Sequence, residues 1–199
     1  MINRAFGRLN IDPLEDLDDD SFGASSAALT YDSVVEFCLG CYVFSWAKEM
    51  RVLSPRADEI GLFGYRNVFD MPGDALGPPV RVTDDPRDPD RIFNRYVLSG
   101  NTVQADEPVL YAEVKFVPPP VKWPGTFREA VTLALAAEFA LGQVDDKGMR
   151  DGLRADAFGS PSVFPRGGAL GAAIAEDARA TPPRRAPVGN NPLTNAWKS

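Results

Sequence analysis

Apolar positions recur at helical spacing at both ends of the chain and break into short pieces in the middle. Ile2, Phe6 and Leu9 share one side of a predicted helix over residues 2–10, which stops before Ile11-Asp12-Pro13. Between about residues 27 and 48, Tyr31, Val34, Val35, Phe37, Leu39, Tyr42, Val43, Phe44 and Trp46 leave almost no polar side. That predicts a long helix, with Ser25 or Ser26 at its cap, which must be covered on several faces by its own domain or by neighbouring subunits. From about residue 50 to residue 83 the punctuation changes to Pro55, Gly61, Gly64, Pro72, Gly73, Gly77, Pro78 and Pro79, so loop and strand replace helix. Two strands are predicted over residues 92–98 and 109–117. Ser99-Gly100-Asn101-Thr102 forms a glycine-first turn between them, and a strand at 102–104 pairs back to make a small meander.

Pro118-Pro119-Pro120 stops the sheet, and Pro124 stands where prolines open helices. Phe127, Val131, Leu135 and Phe139 then repeat at every fourth position to about residue 141, which marks them as core anchors, together with Trp46. The second face of this helix, Ala130, Ala134, Ala137 and Leu141, is small enough for a close helix neighbour. A further helix is predicted over 145–157. Residues 158–199 are rich in Gly, Pro and Ala, with one short helix at 169–180, and read as an extended C-terminal arm after a domain of residues 1–157.

The 199 residues, 44% of them apolar, suffice for one domain with a buried core. A net charge of −7 supplies no sequence-wide basic field for phosphates or an anionic membrane surface. No run reaches the roughly 20 apolar residues that span a bilayer, and no secretory leader pattern is visible, so the expected surroundings are aqueous. Histidine is absent, which removes Ser-His and Cys-His nucleophiles and the commonest general base.

The remaining candidates for chemistry are few. Cys38-Leu39-Gly40-Cys41 has redox spacing but lies inside an apolar helix, where packing is the expected role, and with no further Cys or His it makes no four-ligand zinc site. A metal shared between several chains stays open. Gly167-Gly168-Ala169-Leu170-Gly171 opens a helix but lacks the Gly-Lys-Ser/Thr ending of phosphate loops. Asp84/Asp85 and Asp145/Asp146 are carboxylate pairs of the kind glycosidases use, here on polar loops. Trp46, Trp123 and the Met71-Pro72-Gly73-Asp74 turn read either as an aromatic pocket or as core anchors and a fixed turn. No catalytic residue, cofactor or metal site is expected.

The order of motifs is more specific than any one of them. Tyr31-Asp32 begins within the long helix and Phe44-Ser45-Trp46 closes it. Phe69-Asp70-Met71-Pro72-Gly73-Asp74, Arg95-Tyr96-Val97-Leu98, the aromatic-Pro entry Trp123-Pro124 and Leu135-Ala136-Ala137-Glu138 follow in turn. Over roughly residues 2–156 this order resembles the head-to-tail adaptor of short-tailed bacteriophages, the tail tubular protein A-like family. The resemblance implies an α+β, mainly α fold: a helical bundle (helices about 2–10, 27–48, 125–141 and 145–157) bearing a small antiparallel β insertion at about 65–117.

It also implies a structural virion protein of the tail or neck, assembled in the host cytoplasm as a twelvefold ring between the portal protein and the tail nozzle protein. Tail fibres are a further neighbour, and genome DNA passes through the channel without specific binding. The Gly/Pro-rich arm departs from the family's more helical C-terminal pattern. Leu193 and Trp197 are its only large apolar anchors toward the portal or another neighbour after Thr181, and Arg184 and Arg185 are available to carboxylates across such an interface. Two other readings remain: another neck or tail-completion ring protein, and a wall-degrading virion enzyme, for which the chain offers no evident site.

Overall fold

The computed structural model describes residues 1–15, 22–57, 59–88, 91 and 93–181. Five helices and seven strands follow in the order α1 (Ile2–Arg8), α2 (Phe22–Gly40), β1 (Lys48–Val52), β2 (Ser54–Pro55), β3 (Asn67–Asp70), β4 (Arg81–Thr83), β5 (Tyr96–Ser99), β6 (Thr102–Ala105), β7 (Tyr111–Lys115), α3 (Gly125–Gln143), α4 (Lys147–Phe158) and α5 (Gly168–Ala180). Helix takes 43% of the described residues and strand 16%, so the fold is mixed α and β.

Helix α3 is the centre of the helical part, touched by α1, α2, α4 and α5. Phe127, Val131, Leu135 and Phe139 on one side and Ala130, Ala136 and Ala140 on others are all fully buried. The small alanines let neighbouring backbones approach, and Phe6 of α1 meets Phe139 edge-on with ring centroids 4.9 Å apart.

The strands form two antiparallel sheets, in the orders β1-β7-β4 and β2-β3-β6-β5. Leu53, Phe69, Val82, Val103, Leu110, Ala112 and Val114 join both sheets in a second core. The hairpin β5–β6 closes as predicted, with Ser99 opposite Thr102 and Gly100 at φ +58°, a backbone region that glycine reaches without a steric penalty. The meander does not form. All four residues of β6 are buried, and the strand takes β3 as its second partner, while the chain turns at Asp106-Glu107-Pro108 and sends β7 between β1 and β4 of the other sheet. The predicted strand over 92–98 shrinks to β5, and Ile92 lies outside the described residues.

Three predicted boundaries are corrected. Helix α2 runs from Phe22 to Gly40 instead of from 27 to 48, so Ser25 and Ser26 lie within it and Tyr42, Phe44 and Trp46 lie beyond it. Its buried side includes the small residues Ala24 and Ala27, which a search for bulky residues passes over. At the other end the helix stops at Gly40, and beyond it Asp177 of α5 accepts the Ser45 amide at 3.1 Å and the Ser45 hydroxyl at 2.5 Å, beside a one-turn 3-10 helix at Ser45–Ala47. The β region accordingly begins at Lys48 and not near 65. Finally, residues 158–181 are no arm. Phe158, Leu170 and Ala173 are buried in the first core and α5 packs on both α3 and α4. Arg184, Arg185, Leu193 and Trp197 lie outside the described residues, as does the acidic run at 16–20.

Between the two cores the chain crosses twice, and the crossings clasp each other. β1, leaving α2, pairs along its whole length with β7, which leads back to α3. Phe44 and Trp46 from the outgoing crossing and Trp123 from the returning one all close on Phe127, with centroids 4.9–5.3 Å away. The Trp123 indole N–H is satisfied by the Pro118 carbonyl at 2.7 Å. Trp46 is only partly buried, and its packing on Phe44 and Phe127 makes the cluster the anchor of the junction.

Candidate interaction surface

Helix α2 is the more apolar of the two 19-residue helices, yet among its described side chains two large apolar ones are left uncovered. Leu29 is 83% exposed and Phe37 45%. Phe37 packs with Phe158, at the end of α4, and Phe164, in the loop that follows, and the three rings together line one side of a groove. Phe37 lies 5.5 Å from Phe158 and 6.0 Å from Phe164 between ring centroids.

The groove has a volume of about 610 Å³, and Asp151, Arg154 and Pro161 are among its other lining residues. A neighbouring hollow of about 240 Å³ shares Phe37, Arg154 and Phe158 and extends it toward Thr30 and Ser33. Arg154 lies over the Phe158 ring at 5.8 Å and faces Glu138 across 3.7 Å, so its guanidinium sits at the rim with hydrogen-bonding capacity beyond that one carboxylate.

Glycines shape the loop that carries Phe164. Gly159 has φ +78°, and a Cβ there would come within 2.6 Å of the Gly167 Cα. Gly168 has φ +59°, and its Cβ would come within 2.5 Å of the Asp156 carbonyl oxygen. The loop is thus pinched at its base, and Val163 and Phe164 are left half-exposed at its outer side. This is the physical reason for the glycine run at the start of α5. Its backbone lies against the end of α4, so the phosphate-loop reading gives way to close packing.

A second apolar feature lies between β2 and β3. Ile60, Leu62 and Phe63 are 83%, 61% and 72% exposed. They stand on a fastened loop. Leu62 donates its N–H to the buried Gln104 side chain at 2.6 Å, Tyr65 donates to the Leu62 carbonyl at 3.2 Å, and the Arg66 N–H reaches Asp106 at 3.0 Å. Arg56 braces its foot by pairing with Asp70 at 2.7 Å and Glu59 at 2.6 Å. The Arg56 guanidinium holds the Asp70 carboxyl below the usual carboxylate range. Phe63 sits at φ +60°, which a bulky residue adopts only where its surroundings impose it.

The other predicted candidates have structural employment. The Cys38 thiol is pushed up to about 12 by burial, and burial also raises Cys41. Neither is poised as a thiolate, and both are free thiols. Asp146 caps α4 by accepting the Met149 N–H at 2.9 Å. Asp84 pairs with Arg91, and Asp85 folds its own turn with Thr83 and the Arg87 amide. Met71 is buried in the second core, and Asp74 binds Arg51, whose guanidinium lowers its pKa. Among the described residues no group of three or more Cys, Asp or Glu side chains is placed to hold a metal ion, and no helix is long and apolar enough to cross a membrane.

The groove and the loop escaped the sequence reading because their residues are scattered. Phe37, Phe158 and Phe164 belong to three segments, and the Ile60–Phe63 stretch was legible only as loop punctuation. No protein-family model matches the chain, and no curated protein matches it.

Proposed function

We propose that the chain is a structural virion subunit: a ring-forming head-to-tail adaptor that joins the portal to the tail nozzle and lines the genome channel. One observation carries this reading. The most apolar helix leaves Leu29 uncovered and presents Phe37 to an aromatic groove, a surface that suits contact with another protein.

The motif order of the resemblance supports it, as does the way Phe44-Ser45-Trp46 and Trp123-Pro124 join helices to sheets at one junction, as a helical bundle with a β insertion would require. The net charge of −7 suits a channel through which DNA phosphates pass without being held. On this reading the segment after Thr181, with Arg184, Arg185, Leu193 and Trp197, docks on the portal or a neighbouring subunit.

Light scattering of the full chain with and without portal protein tests the proposal. A subunit that is monomeric alone and forms a portal-bound ring is expected; a stable dimer indifferent to portal contradicts it. Truncation after Thr181 should leave the melting temperature nearly unchanged and weaken portal attachment. Undiminished attachment removes the docking role from that segment.

A further inference from the structure

We infer that residues 184–188, which lie outside the described residues, add to the open edge of β1 as a fourth strand of the three-stranded sheet. β1 ends that sheet, and the phase of its pairing with β7 decides which of its groups are left over. The Phe116 N–H donates to the Ala47 carbonyl and the Leu53 N–H to the Leu110 carbonyl, so the odd-numbered residues from 47 to 53 turn their backbone toward β7. The N–H and C=O groups of Lys48, Met50 and Val52 therefore point away from the sheet. Among the described residues none of these groups has a hydrogen-bond partner, and Val52, at the end of the edge, is 60% exposed. Such an edge is a template for another strand.

The course of the chain supplies the occupant. Thr181, where α5 ends, and Lys48, where β1 begins, line one hollow of about 440 Å³. Arg184 follows three residues after Thr181, and three extended residues span at most roughly 10 Å. A segment continuing from α5 thus starts beside the first open group of β1 and runs parallel to it. Thr181, at φ −95° and ψ 113°, already has the extended backbone that precedes a proline.

The prolines supply the register. A strand on this edge needs a backbone N–H at every second residue, and Pro183 and Pro187 have none to give. Both fall on the same parity, so Arg184, Ala186 and Val188 are the residues that turn toward β1. The Arg184 N–H then reaches the Lys48 carbonyl, and the Met50 N–H reaches the Arg184 carbonyl. One step further, the Ala186 N–H reaches the Met50 carbonyl and the Val52 N–H the Ala186 carbonyl. Pro183 and Pro187 face outward, where a missing donor leaves no bond unmade and prevents yet another strand from adding. The Arg184 and Arg185 side chains project from opposite faces of the strand, so its formation is independent of what the adaptor reading has them meet.

The test is amide hydrogen exchange of the full chain, without portal, against a chain truncated after Thr181. An edge strand of this composition buries little apolar surface, so ordering it nearly offsets the hydrogen bonds gained and the melting temperature moves little. Exchange reads the bonds directly. The Met50 and Val52 amides should exchange about fivefold or more slowly in the full chain. Ala186→Pro removes the N–H aimed at the Met50 carbonyl and should abolish that difference, whereas Arg185→Pro, at an outward position, should keep it. Both substitutions lie beyond Thr181, so neither disturbs the packed helices and sheets.

Equal exchange in the full and truncated chains, or equal loss of protection in the two proline variants, overturns the inference. Slowing that fades on roughly hundredfold dilution also overturns it, because the added strand then comes from another copy.

Discussion

Helices α2 and α3 are equal in length, but their surroundings differ. α3 has a neighbour on every side, and Phe127, Val131, Leu135 and Phe139 have no exposed surface. α2 packs chiefly on α3 and turns Leu29 and Phe37 outward. The same kind of sequence thus serves two purposes. In α3 apolar burial builds the subunit, and in α2 two large apolar side chains, Leu29 and Phe37, are left uncovered among Asp32, Ser33 and Glu36, which a folded chain in water tolerates best when another protein covers them.

The largest effect expected from this comparison is on α3. Phe139→Ala should destabilise the subunit by about 3–5 kcal/mol, because the side chain is fully buried and a cavity remains. Urea denaturation measures this. Phe37→Ala should cost less in the same assay, about 1–2 kcal/mol, because its ring is 45% exposed yet still packs on Phe158 and Phe164. Equal costs at the two positions would erase the distinction between the helices.

An intermediate effect is expected where α2 ends. Asp177→Ala removes the acceptor of the Ser45 amide and hydroxyl and should cost about 1–3 kcal/mol, the usual penalty for leaving partly buried donors unsatisfied. Hydrogen exchange of residues 41–47 should rise with it. An unchanged melt would mean that the chain leaves α2 for reasons local to Gly40.

The smallest effect concerns neither helix. Arg56 and Arg51 hold the Asp70 and Asp74 carboxyls below their ordinary pKa of 3.8, so these pairs favour the folded state above that pH. The contribution is lost as pH falls through the lowered folded-state values, below about pH 4. Both pairs are exposed, so only a slight extra slope in the acid limb of a melting-temperature series is expected, and Asp70→Asn should flatten it. The same slope in the variant would rule out this pair as its source.

These contrasts also mark what was legible in the sequence. The fourfold spacing from Phe127 to Phe139 identified α3 because one helix repeats one local interval. Gly100 identified the β5–β6 hairpin because a two-residue turn carries its own backbone requirement. The course of the chain after α2 was hidden because the partner that holds Ser45, Asp177, lies far along the chain. The pairing of β1 with β7 was hidden for a similar reason, since the whole β region intervenes between the partners. The groove needed three segments to meet before it existed. The glycines at 159, 167 and 168 were visible, but only the close approach of α4 and α5 distinguishes a packing requirement from a phosphate loop.

The mass of the complex formed on the portal, compared between the wild-type chain and Phe37→Asp, tests the central claim most directly. The uncovered face of α2 as an assembly surface predicts a full ring of wild-type subunits and few or no bound copies of a variant whose own melt is normal. Equal numbers of both chains on the portal would contradict it.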